Sequence, residues 1–212
     1  MEKSYRKSGF LLLLIIPLML VAFYPSYFKY FPAFKNNMYK YTHVHTIISV
    51  VWVLILICQP FLIVNKKYKW HKILGKSTYI IFPLWIVSFF PMMYNLFQRK
   101  MYYNLVFPIG DLIILIILYA LAIKYRKVPS KHMRYMIATS LVLIDPIIGR
   151  IAFNNLPFGS LAMPIAYALM NGILLLLIWM DYKNKKDYSP YIHALICFIL
   201  YHISYFLVYY II

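Results

Sequence analysis

Long apolar blocks separated by short basic segments make up the chain, and the residue-by-residue alternation of a half-buried strand is absent. A helix needs about 20 mostly apolar residues to cross the hydrocarbon of a bilayer. Seven stretches meet that requirement: 9–28, 43–64, 77–97, 105–123, 134–154, 160–180 and 190–212. Helix punctuation lies at their edges. Gly75 to Thr78 precedes the third, Pro129-Ser130 the fifth and Gly159-Ser160 the sixth, while Ser189-Pro190 opens the seventh with a capping residue and a first-turn proline. The pattern predicts an all-α, polytopic membrane protein: a single domain of seven transmembrane helices. Without strand alternation a β-barrel is excluded.

Composition strengthens this reading. Of 212 residues, 64% are apolar and only 13% charged, whereas a soluble domain has roughly a quarter of its residues charged. Aromatic residues, at 19%, exclude intrinsic disorder. Cys58 and Cys197 are too few for a disulfide scaffold and read as packing residues. The formal charge of +17 sorts by loop. Sixteen Lys and Arg fall in the N-terminal tail (Lys3, Arg6, Lys7) and in the loops around 65–76, 124–134 and 181–189, against five on the other side (Lys29, Lys35, Lys40, Arg99, Lys100). The positive-inside bias then predicts a cytoplasmic N-terminus and an outside C-terminus, which in a bacterium means the inner membrane. Basic loops such as 66–72 read as surfaces resting on anionic lipid head groups, not as nucleic-acid sites. The N-terminal run lacks a small-residue cleavage site at Tyr24-Pro25-Ser26, so the expectation is a retained anchor. The segment 29–42, rich in Phe and Tyr, reads as an interfacial belt.

Polar residues at membrane depth are costly and are functional candidates by default. At 100° per residue His45, Ser49, Trp52 and Gln59 fall within about 80° of one another, one polar stripe on an otherwise aliphatic helix. His43 points about 160° away from His45 and is expected to be solvated at the interface. Asp111 lies about 9 Å into the fourth span. Asp145 sits at mid-depth in the fifth beside Pro146, with Gly149 and Arg150 following. Asn171-Gly172 interrupts the sixth span and His202 the seventh. The candidate buried polar site is therefore His45, Gln59, Asp111, Asp145, Arg150, Asn171 and His202.

Several chemistries use these residues. His45, His202, Asp111 and Asp145 have the donor types of a Zn or Mn site, without a local ligand spacing to support it. Asp145 beside a proline-broken helix suits a proton or ion path. Arg150 can instead simply neutralise Asp111 or Asp145. A b-haem reading takes His71 with His132 and His45 with His202 as ligand pairs at matched depths, stacked into a transmembrane electron wire. An accessory subunit of a membrane complex needs none of these chemistries. No mid-span lysine in 190–212 supports a retinal, and no nucleophile elbow surrounds Ser49 or Ser140.

The segments His45-x6-Trp52-x6-Gln59-Pro60, His71-x3-Gly75, His132-x-Arg134 and Asp145-Pro146-x2-Gly149-Arg150 resemble a group of uncharacterised small bacterial multi-span membrane proteins. The resemblance covers about residues 43–153 and implies a helical membrane fold. A more distant likeness to transmembrane b-type cytochromes implies haem b as a cofactor.

Overall fold

The computed structural model describes residues 2, 5–31, 34, 40–155 and 161–211. Lys3, Lys35, half of the 29–42 segment and the Gly159-Ser160 boundary lie outside the described residues. Every regular element among the described residues is helical, and six helices are long and apolar enough to cross a membrane. They are Lys40–Val64, Tyr68–Gln98, Tyr102–Lys124, Pro129–Phe153, Ala162–Lys183 and Ser189–Tyr210, matching the second to seventh expected spans. The first expected span, 9–28, is shorter: two helices, α1 (Ser8–Leu13) and α2 (Ile15–Phe23), cover Ser8–Phe23. At ~1.5 Å per residue that reaches about 24 Å, less than the ~30 Å of a hydrocarbon core. The architecture is helical and membrane-like.

The chain forms two compact units, Met1–Met101 and Tyr102–Ile212. In the first, α3 (Lys40–Val64) pairs with α4 (Tyr68–Val87), and α1 and α5 (Phe90–Gln98) pack on α3. The turn between α3 and α4 is tight. Lys66 adopts a left-handed conformation (φ 58°), and Asn65 donates its side-chain amide to the Phe61 carbonyl (2.8 Å), which holds the end of α3. The pair is bolted by indoles, with Trp52 of α3 stacked on Trp85 of α4 at 5.1 Å. Pro91 explains where α4 stops. Its ring cannot share space with the carbonyl four residues back, and the helix ends at that residue, Val87.

In the second unit α10 (Ser189–Tyr210) packs against α6 (Val106–Lys124), α7 (Pro129–Leu141) and α9 (Ala162–Lys183), while α8 (Ile144–Asn155) packs on α9. The fifth expected span is thus two helices, α7 and α8, broken at Val142-Leu143. Pro146 has no N–H to return to Val142, so the break falls where the bond would have been. Burial runs opposite to that of a soluble protein. On α6, Asp111 is buried along with Leu115, Leu118 and Ala122, while Ile113, Ile116 and Ile117 are exposed. The α10 cap also differs from expectation. Ser189 is already helical, and the Asp187 side chain accepts its N–H (3.0 Å). Hydrogen bonds from Ser189, together with Lys131 at 3.2 Å, hold the Asp187 carboxyl below the usual carboxylate range.

Two stretches expected as basic loops belong to helices. His71 lies in the first turn of α4, and His132 and Arg134 lie on α7. Arg134 is fully buried. Its guanidinium meets Asp181 of α9 in a two-pronged pair, Nε to Oδ2 at 2.7 Å and Nη2 to Oδ1 at 2.9 Å, and Nη1 donates to the Ser130 carbonyl (3.0 Å). This geometry satisfies both charges and ties the start of α7 to the end of α9. Arg134→Leu is expected to lower stability in detergent by about 3–5 kcal/mol, because Asp181 is left charged and buried. The double variant Arg134→Met/Asp181→Leu should recover most of that loss, as read from thermal unfolding.

Candidate functional site

The second unit brings several polar side chains of its long helices into one neighbourhood. Asp145 occupies the first turn of α8, where free backbone N–H groups and the helix dipole favour a carboxylate. The helix break at Val142-Leu143 creates that turn at mid-chain of a predicted span. Tyr201 of α10 donates its hydroxyl to Asp145 Oδ2 at 2.6 Å. Arg150, on the same helix, bonds the Pro146 carbonyl (3.0 Å) and lies within electrostatic range of both Asp145 and Asp111. Asp111 enters from α6. Its Oδ1 is buried and accepts no hydrogen bond among the described residues. Two carboxylates on two helices therefore share the neighbourhood of one guanidinium.

Gly110 makes this arrangement possible. A Cβ at that position would overlap the Tyr201 ring, so only glycine lets the tyrosine lie against the α6 backbone beside Asp111. Gly149 does the same on a smaller scale, leaving room for the Met163 thioether of α9.

An aromatic and amide layer continues the cluster. Tyr167 of α9 packs edge-on against Tyr201 (5.6 Å) and stacks on His202 of α10 at 3.9 Å. The Asn171 amide donates to His202 Nδ1 (3.1 Å), which places the imidazole proton on Nε2. His202 Nε2 and Asn171 Oδ1 are then buried with no hydrogen-bond partner among the described residues. Asp111, Asp145, Arg150, Asn171 and His202 from the sequence reading thus belong to one unit, bridged by Tyr167 and Tyr201. The two tyrosines escaped the sequence reading because tyrosine is abundant here, 22 residues, and no single one stands out.

His45 and Gln59 lie in the first unit, on α3. The predicted stripe faces α4: His45 Nδ1 meets the Ser88 hydroxyl (2.9 Å), His45 Nε2 meets the Ser49 hydroxyl (3.3 Å), and Trp85 Nε1 donates to Ser49 (2.8 Å). Gln59 donates to the His71 carbonyl (3.3 Å). A cleft of about 60 Å³ between α2 and α3 is lined by Met19, Phe23, Tyr27, His45 and Ser49. His43, expected to be solvated, is packed instead, with Nδ1 against the Tyr27 hydroxyl (2.9 Å) and its ring edge-on to Phe34.

The residues considered as metal and haem ligands are divided between the two units. Among the described residues no three His, Cys, Asp or Glu side chains come together as a metal site, so His45, His202, Asp111 and Asp145 do not form one. His45, with the Ser88 and Ser49 hydroxyls beside its two nitrogens, is in the first unit. Of the other three histidines considered as haem ligands, His71 is in the first unit and His132 and His202 are in the second. His132 Nδ1 donates to the Ala122 carbonyl (2.8 Å), a bond that joins α7 to α6. Cys58 and Cys197 are both free thiols.

The packing of Tyr201 on Gly110 yields a direct prediction. Gly110→Ala should displace the Tyr201 ring, break its bond to Asp145 and lower thermal stability by about 1–3 kcal/mol. Tyr201→Ala in the same background should relieve the clash, so that the effects of the two substitutions are non-additive in a double-mutant cycle. No family model, curated protein or solved structure matches the chain.

Proposed function

We propose that the chain is an integral membrane protein that couples transport of a small solute or ion to proton movement, with Asp111, Asp145 and Arg150 as the proton-binding site. The observation that carries this reading is the ratio of charges. Two buried carboxylates sit within electrostatic range of a single guanidinium, and one carboxylate oxygen, Asp111 Oδ1, accepts no hydrogen bond among the described residues. A structural ion pair needs one acid for each base, and the chain has such a pair in Arg134–Asp181. The second acid at Arg150 leaves an excess negative charge in low dielectric, which is neutral only when a proton or a cation is shared between the carboxylates. Tyr201 gives Asp145 a neutral donor that favours its charged form. The broken helix beside Asp145 frees backbone carbonyls at the depth where a transported ion would pass.

The topology that goes with this reading places the N-terminus in the cytoplasm. Sixteen basic residues against five support that orientation.

The first test is infrared spectroscopy of the reconstituted protein. A carboxylic C=O band that shifts in D2O and disappears in Asp111→Asn or Asp145→Asn is expected. If no protonated carboxyl is present over the neutral pH range and no bound cation is found, the proton-site reading is wrong. In proteoliposomes carrying a pH-sensitive dye, screened against a panel of small neutral and cationic solutes, solute-driven proton flux is expected in the wild type. Asp145→Asn should abolish it while the helical circular dichroism stays unchanged.

A further inference from the structure

The start of α4 carries a group of exposed basic side chains. The helical segment Tyr68–Gln98 has 31 residues, a length of at most about 46 Å at ~1.5 Å per residue. The hydrocarbon core takes only ~30 Å of that. The apolar part of the segment lies towards its C-terminal end, so its first two to three turns extend out of the hydrocarbon into the head-group layer. Those turns carry Lys69, Lys72 and Lys76, all exposed. At 100° per residue the three fall within about 60° of one another, one continuous stripe rather than a ring of charge. Trp70 is exposed beside the stripe, 59% accessible, at the depth where indoles anchor helices in the interface. The tight turn before α4 adds Lys66 and Lys67 to the same end.

The charge on this face has no counterpart nearby in sequence. No Asp or Glu occurs between Lys3 and Gly110, so the first unit offers the stripe no carboxylate from its helices. The other basic end behaves differently. Lys131 is paired with Asp187, and Arg134 with Asp181.

We propose that the first turns of α4 are a docking face for anionic phospholipid head groups, with Lys69, Lys72 and Lys76 meeting the lipid phosphates and Trp70 seated among the upper acyl chains. Lysine suits this role because its flexible stem and point charge follow a mobile phosphate without demanding one geometry. The proposal rests on the membrane reading and not on the proton site, so either can fail without the other.

The test measures lipid selectivity. The full chain is reconstituted in phosphatidylcholine bilayers with a trace of spin-labelled phosphatidylglycerol or spin-labelled phosphatidylcholine, and the motionally restricted fraction is read by electron spin resonance. A preference of roughly fivefold for phosphatidylglycerol is expected, weakening as salt rises. It should fall to near unity in Lys69→Gln/Lys72→Gln/Lys76→Gln and persist in the matching triple arginine variant, which keeps the charge. It should also persist in Lys183→Gln/Lys185→Gln/Lys186→Gln. Equal association of the two lipids with the wild type overturns the proposal, as does a preference unchanged in the α4 glutamine variant or lost equally in the 183–186 variant. If an acidic protein co-purifies with the wild type but not with the α4 variant, and no lipid preference is seen, the face belongs to a protein partner and the proposal is likewise overturned.

Discussion

Hydrocarbon offers a polar group no partner, so each one inside a span has to find its partner within the chain or hold a bound proton, ion or water. This constraint orders the whole molecule. It makes every described regular element a helix, turns Asp111 inward while Ile113, Ile116 and Ile117 of α6 face out, and sets polar side chains against each other across helix pairs. His45 lies between two serine hydroxyls, His132 reaches the Ala122 carbonyl, and Tyr135 bonds His193 at 2.7 Å. Each of these bonds joins two helices or two turns that the hydrophobic effect alone does not hold together in lipid.

The same constraint separates the two arginine sites of the second unit. Arg134 makes two well-aligned bonds to Asp181 and a third to a carbonyl, so both buried charges of that pair are met. Arg150 has two acids within range, and Asp111 Oδ1 has no hydrogen-bond partner among the described residues. The first arrangement is a bolt, and the second is the one proposed above as the proton-binding site. Gly110 and Pro146 serve the second: the glycine admits the Tyr201 ring, and the proline opens the helix so that Asp145 starts a new one. Both residues are poor helix formers in a helical segment. Their presence makes sense as the local cost of building a site.

Much of the fold is legible without coordinates because the period and length of apolar blocks report directly on a bilayer's thickness. The six long helices fall within a few residues of the expected spans, except where basic residues continue a helix beyond the hydrocarbon, as at Tyr68–Lys76 and Pro129–Arg134. There hydropathy marks the edge of the lipid, not the end of the helix. Ser8–Phe23 shows the reverse case, an apolar block whose described helix is shorter than the block. Of the candidate residues, Asp111, Asp145 and Arg150 were legible because charge in an apolar run is expensive and therefore conspicuous.

The sequence by itself determined the class of the molecule, the approximate spans and the short list of costly polar residues, since all three follow from one-dimensional spacing and from transfer free energies. Only the tertiary structure decided which of those residues meet. Helices that share a depth can face in any direction, so depth alone could not tell that Asp181 takes Arg134, that Tyr201 bonds Asp145, or that His45 meets serines of its own unit. Partner choice depends on helix rotation and neighbour order. Those are set by packing at positions such as Gly110 and by the stacked pair Trp52–Trp85, whose contacts are three-dimensional.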